Sequence, residues 1–172
     1  MKLLTLLRHG KSEWETGAEN DFDRPLRDRG RRDAPFMGRV FAALDLTPDL
    51  IVSSRALRAQ QTAELFANDS GYRNPIRWED SMYAASAGEL MSVLRNLPNQ
   101  ATHVLLVGHN PGFEDLSAQL IGASAFGMVA GLRMPTAGAA HIELGVEQWQ
   151  EVQTNSGRLL WLVNPRILQA IK

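Results

Sequence analysis

An apolar run, Leu3 to Leu7, ends on Arg8-His9-Gly10, that is, on a cation, a titratable ring and a residue with no side chain. Leu50-Ile51-Val52 likewise gives way to Ser53-Ser54, with Arg58 one helical turn further on, and His103 to Val107 is followed by Gly108-His109-Asn110-Pro111. Between the first two runs lies DFDRPLRDRG, a turn-like segment that offers Arg24. Arginine meets phosphate or carboxylate with a planar fork of donors, and free N–H groups at a helix N-terminus favour anions. Two or three arginines and two histidines gathered at one point would make an anion-selective cavity, with phosphate its natural guest. His9 would attack phosphorus through one ring nitrogen, forming a phosphohistidine that water then hydrolyses. That requires a neutral ring whose tautomer is fixed by a hydrogen bond at the other nitrogen. Arg8 and Arg58 would favour neutrality, because adjacent cations lower a histidine pKa from about 6.5. The same arginines would carry the charge on the phosphoryl oxygens, joined by His109 if it protonates once phosphate is bound. Ser54 and Asn110 stand beside these groups as further substrate-binding candidates, and Gly10 would permit close approach of backbone to ring or phosphate.

Such residues converge only if the right elements carry them. Short β-branched or leucine-rich runs alternate here with helical periodicity, which predicts an α/β layered domain. Strands are expected at Lys2 to Leu7, Leu50 to Val52, His103 to Val107, Ala140 to Leu144 and Leu159 to Val163, the last two joined by a polar turn. Met37, Val40, Phe41 and Leu44 fall on one helical face, with Pro35 expected to kink that helix or push its regular part later. Ala59, Ala63 and Phe66 face inward from a second helix. Ser86-Ala87-Gly88-Glu89 has capping-box spacing and starts a helix with Leu90, Val93, Leu94 and Leu97 on its apolar face. Pro111 suits a first helical position, so a further helix should cover about Gly112 to Ile121. Ala123 to Gly138, rich in Gly, Ala and Met, gives no clear element and reads as a loop over the pocket. In open α/β sheets, ligands gather where the carboxyl ends of parallel strands meet helix N-termini, and three strands here end in polar residues.

The chain of 172 residues fits one domain spanning 1–172. A formal charge of −1 argues against a nucleic-acid binder and against a membrane-surface protein. Cysteine is absent, which excludes disulfides and cysteine-based metal or redox sites. No run approaches the roughly 18 to 20 apolar residues of a membrane span, and no signal peptide is read, so a cytoplasmic protein is expected. Lysine occurs only at Lys2, Lys11 and Lys172; the remaining cations are arginine.

With these motifs in their order, RHG at Arg8 to Gly10, SSRALRAQQTA at Ser53 to Ala63 and VGHNPG at Val107 to Gly112, the chain resembles the histidine phosphatase superfamily. Its short length and the DRPLRDRG segment make it look most like the SixA type, the phosphohistidine phosphatases. The resemblance implies a three-layer α/β/α sandwich with a mostly parallel mixed sheet, phosphoglycerate mutase-like. It further implies His9 as nucleophile, Arg8, Arg58 and His109 as the phosphate pocket, Arg24 as an additional phosphate contact, and no metal or cofactor. Many superfamily members carry an acid after the third strand that protonates the leaving oxygen. Here its position falls near Ala84, with Glu79 and Asp80 upstream. A general acid typically supplies about 10²- to 10⁴-fold, and an imidazole leaving group, with a conjugate acid near pKa 6.5, needs it least. Phosphohistidine in a protein partner is therefore the expected substrate. The alternatives are a broad-specificity small-molecule phosphomonoesterase and a non-catalytic domain that binds a phosphorylated partner, for which RDRGRRD at Arg27 to Asp33 would be a docking face.

Other motifs compete less well. HGKS at His9 to Ser12 mimics the end of a nucleotide-binding loop, but that loop needs glycine where Thr5 stands. Gly122-Ala123-Ser124-Ala125-Phe126 misses the serine-hydrolase elbow at its last residue. His9 and His109 lack the helical ligand spacing of a zinc site, and His103 and His141 read as structural or exposed.

Overall fold

A computed structural model of the chain describes residues 1–14, 19–122 and 132–171. Six strands form one sheet: β1 (Lys2–Arg8), β2 (Leu50–Ser53), β3 (Arg77–Trp78), β4 (His103–Gly108), β5 (Ala139–Leu144) and β6 (Gly157–Val163), in the order β3-β2-β4-β1-β5-β6. The first four are mutually parallel; β5 runs antiparallel to β1, and β6 antiparallel to β5. The helices are α1 (Asp28–Ala43), α2 (Leu57–Ser70), α3 (Ala87–Arg95), α4 (Gly112–Ile121) and α5 (Pro165–Ala170).

Side chains alternate across a strand, and here both faces are apolar, as a covered parallel sheet requires. Leu4, Leu6, Val104 and Leu106 pack with Leu90 and Leu94 of α3 and with Phe113 and Leu116 of α4. Leu7, Leu105 and Val107 pack on the other face with Met37 and Phe41 of α1 and with Ala63 and Phe66 of α2, where Leu168 of α5 also leans. The result is a three-layer α/β/α sandwich. Each fully buried Leu or Phe in these layers contributes about 1.5–3 kcal/mol of burial.

Every expected strand and helix is present, β3 and α5 come in addition to them, and four details differ. Helix α1 begins at Asp28 and contains Pro35, so of the two expected outcomes the delay does not occur; without an N–H the proline cannot bond the Arg31 carbonyl. Leu44 is 57% exposed rather than on the buried face, because the helix ends before it and Leu44 is the C-cap. Pro111 is the N-cap of α4 rather than its first residue. The connection from β5 to β6 is not a plain polar turn: it holds a 3-10 turn at Trp149–Glu151 whose indole is fully buried and donates to the Ala101 carbonyl at 2.9 Å. Of the expected loop at 123–138, residues 123–131 lie outside the described residues. No helix among the described residues is long and apolar enough to cross a membrane.

His103 and His141 are buried and structural. Both ring nitrogens meet the Thr5 hydroxyl, at 2.9 and 2.8 Å. A hydroxyl has one proton and two lone pairs, so Thr5 donates to at most one ring and accepts from at least one. His141 also stacks on Trp161, with centroids 4.7 Å apart and 19° between planes.

Candidate active site

Sheet register sets three strand ends side by side. Arg8 is level with Gly108 and Ser53 with Val107. The ladder then runs one bond further on: His9 N–H donates to Gly108 O and Ser54 N–H to Val107 O, each at 3.0 Å. His9, His109 and Ser54 are thus the first residues past three adjacent parallel strands. The backbone of Arg8 and His9 is held from the opposite side as well, both carbonyls accepting from Ala137 N–H at 3.1 Å.

The two imidazoles face a common space, their centroids 5.2 Å apart. His9 Nδ1 lies 2.7 Å from the Gly10 carbonyl. A carbonyl only accepts, so Nδ1 carries the proton and Nε2 carries the lone pair. Arg58 Nε–H donates to that Nε2 at 3.3 Å. The His9 pKa is lowered to about 3, first by burial and then by His109, Arg58 and Arg8, against an opposing contribution from the Gly10 bond. Neutrality was expected from the arginines; burial is the larger cause. His109 is lowered to about 4, again by burial first and then by Arg58, with Arg8 and Arg24 adding to it. Its Nε2 lies 2.9 Å from Ser54 Oγ, which itself accepts from Ala56 N–H at 3.3 Å. Where the Ser54 hydroxyl donates to His109 Nε2, the ring carries its own proton on Nδ1; Nδ1 is buried without a partner.

Each arginine is anchored and still has donors to give. Arg8 Nη1 donates to Met134 O at 2.8 Å, while its Nε is buried and unpartnered. Arg24, which is 8% exposed, lies under the Trp14 ring at 3.4 Å; it forms an ion pair with Asp21 at 3.0 Å, and its Nη1 has no partner. Arg58 spends Nη1 on the Asp21 carbonyl oxygen at 2.5 Å and Nη2 on Asp21 Oδ2 at 2.9 Å. Buried nitrogens on Arg8, Arg24 and His109 lack partners, and a tetrahedral oxyanion set beside His9 Nε2 would supply them. A buried polar group without a partner costs about 1–3 kcal/mol, which an arriving anion would relieve.

Gly10 makes a close contact within the protein itself. A Cβ there would come within 3.0 Å of Gly30 Cα in α1, so the pair lets the helix start against the loop after β1. The donors of Asn110 are committed to Glu114 Oε1 at 2.7 Å and Met134 O at 2.9 Å, leaving only its Oδ1 unpaired. Neither upstream acid is poised as a proton donor. Glu79 is bonded to Ser81 and Arg77, which together hold its carboxyl below the usual range against burial. Asp80 is ion-paired with Arg55 at 3.0 Å and exposed. Ala84 is exposed at φ 51°.

Three residues of the site went unseen in the sequence. Asp21 binds Arg58 and Arg24; Tyr83 donates to Asp21 Oδ2 at 2.9 Å and meets the His109 ring edge-on; Thr62 accepts from Gly10 N–H at 3.0 Å and donates to the Arg58 carbonyl at 2.6 Å. Only Asp21 carried a signal, its i,i+3 spacing to Arg24. No cluster of three or more metal-ligating side chains occurs among the described residues.

A sequence model of the histidine phosphatase superfamily (branch 1) matches residues 4–91. An uncharacterized chloroplastic protein of Arabidopsis thaliana is 30% identical over 168 residues, 92% of this chain and 73% of its own length. An uncharacterized protein of Mycobacterium tuberculosis is 29% identical over 164 residues, 93% of this chain and 100% of its own. Among solved structures, a protein assigned as phosphohistidine phosphatase SixA from Agrobacterium tumefaciens superposes with a TM-score of 0.77 at 30% identity, covering 95% of this chain and 99% of that one. The protein histidine phosphatase SixA complexed with tungstate gives a TM-score of 0.81 at 21% identity, with 96% and 99% covered, a likeness of fold.

Proposed function

The chain belongs to the histidine phosphatase superfamily and is a phosphatase, and from that premise we propose that it works through a phosphohistidine on His9 and takes its phosphoryl group from phosphohistidine on another protein. The observation that carries the first half is the fixed tautomer. His9 presents a neutral Nε2 lone pair, with Nδ1–H held by Gly10 O, beside arginines with donors to spare. Nε2 attacks phosphorus as the P–N bond of the donor breaks, and the departing imidazole nitrogen keeps the electron pair and takes a proton from water. A water molecule then attacks the phosphohistidine, the Nε2–P bond breaks, and inorganic phosphate leaves. Arg8, Arg24, Arg58 and His109 hold the three peripheral oxygens throughout, so the developing charge meets donors already in place.

The second half is supported by what stands at the acid's place. Ala84 offers no proton, and Glu79 and Asp80 are both committed to arginines. A sugar or serine alkoxide would leave poorly from such a site, an imidazole readily. The link from β3 to α3, residues 79–86, is a 3-10 turn followed by a capping box, too short to hold an inserted cap domain, which suits a phosphohistidine carried on a protein surface.

The test is a labelled phosphoramidate donor. An acid-labile phosphoenzyme should form and be absent in His9→Ala, and turnover of a phosphohistidine peptide should exceed that of alkyl phosphates by at least about 100-fold. Comparable turnover of 3-phosphoglycerate would point instead to a small-molecule phosphomonoesterase, and retained affinity without turnover to a binding domain.

A further inference from the structure

Asp21 is a carboxylate inside a site built for anions, and its four contacts account for it. Its backbone oxygen and Oδ2 take Nη1 and Nη2 of Arg58, its Oδ1 faces Arg24 Nε, and Oδ2 also accepts from the Tyr83 hydroxyl. Asp21 is itself well fixed. Asn20 Oδ1 accepts from Asp23 N–H, Asn20 Nδ2 donates to the Asp23 carboxylate, and the neighbouring Phe22 carbonyl accepts from Leu57 N–H at the start of α2. Tyr83 is braced edge-on by Phe22 on one side and His109 on the other.

We propose that Asp21 is a positioning residue: it grips the terminal edge of the Arg58 fork so that the side edge, with Nε–H, faces the nucleophilic nitrogen of His9, and Tyr83 holds Asp21 in that grip. This rests on Arg58 being a phosphate ligand, as the function above requires. The carboxylate also repels an arriving phosphate, so two effects of opposite sign compete. Asp21 lies across the guanidinium from His9 and its side chain is 43% exposed, which leaves its charge well screened. The two bonds it makes to Arg58 are short, directional and charge-assisted. Orientation therefore wins over repulsion.

The experiment measures binding of orthovanadate, an inorganic oxyanion that needs no leaving group, together with kcat and KM on p-nitrophenyl phosphate. The variants are Asp21→Ala, Asp21→Asn, Arg58→Ala and the Asp21→Ala/Arg58→Ala double, each checked for an unchanged melting transition. Asp21→Ala should weaken vanadate binding and lower kcat/KM by about tenfold, within the range of coupled polar neighbours. Asp21→Asn, which keeps the backbone oxygen and one side-chain acceptor, should recover most of that loss. The double variant should be no worse than Arg58→Ala alone. Vanadate bound as tightly or more tightly by Asp21→Ala would overturn the proposal, because the carboxylate would then merely fill an empty anion site. Losses that simply add in the double variant would overturn it too. If Arg58→Ala itself leaves vanadate affinity unchanged, the phosphate-site reading fails first and the proposal with it.

Discussion

A histidine that attacks phosphorus must not be holding a proton on the attacking nitrogen, and His9 is kept free by burial more than by its cationic neighbours. With its pKa near 3, kcat/KM on a donor corrected for its own phosphate ionisation should show no limb near pH 6.5. A clear inflection there, absent from a matched control, would mean that the ring titrates as an exposed histidine does. Arg58 gives its three kinds of nitrogen to three different acceptors, which a lysine ammonium cannot copy. Arg58→Lys should therefore lose about 100-fold in kcat/KM, on the scale of removing one transition-state donor, and steady-state kinetics will read it directly. Arg8, His9, Arg58 and His109 could be found in the sequence because three of them sit one or two residues past a hydrophobic run and Arg58 one helical turn beyond the serines that end another. Asp21 and Tyr83 could not: a carboxylate and a phenol in an anion site make sense only once the hydrogen bonds they make to one another and to Arg58 are known.

Helix α3 begins at Ser86, whose hydroxyl accepts from Glu89 N–H while the Glu89 carboxylate accepts from Ser86 N–H, a reciprocal cap legible from four residues. Ser86→Ala should cost about 1 kcal/mol and lower the melting temperature by roughly 2–4 °C, with little effect on turnover. Gly30, in the first turn of α1, should behave in the opposite way. A Cβ there would lie 2.4 Å from the Lys11 carbonyl, backbone that cannot swing aside, so Gly30→Ala must push the helix away from the loop that carries His9 and Gly10. Overpacking of this kind costs about 1–3 kcal/mol, and its loss in kcat should exceed what the Ser86 variant shows at equal stability. Helical periodicity located α1, α2 and α3, since their buried faces recur every three or four residues, and Pro111 located α4. It misjudged Leu44, because periodicity does not report where a helix stops, and it gave no sign of the buried Trp149, which a lone aromatic among polar residues does not announce.

The whole molecule buries four neutral histidines, two at the site and two on Thr5, all with lowered pKa values. In the unfolded chain they titrate near 6.5, so between that pH and the folded values, about 3 for His9 and about 4 for His103 and His109, with His141 lowered too, the unfolded state binds more protons. Stability then rises with pH across the window and falls as the solution is acidified. The urea midpoint should drop steadily from pH 7 to pH 4.5, and the slope should lessen in His103→Gln; a flat midpoint would contradict the burial of these rings. Strand order was beyond the sequence, because β1 and β4 lie about a hundred residues apart in the chain, and nothing local encodes that pairing. The pairing nonetheless decides how the catalyst behaves over time. The reacting nitrogen hangs from an interior strand laddered on both flanks, the last part of such a protein to open, whereas Asp21 and Arg24 ride on a connection outside the sheet. On the proposed chemistry the nucleophile is thus the stationary partner, and two of the groups that meet the outer oxygens of the phosphoryl donor, Arg24 and Arg58, sit on chain outside the ladder.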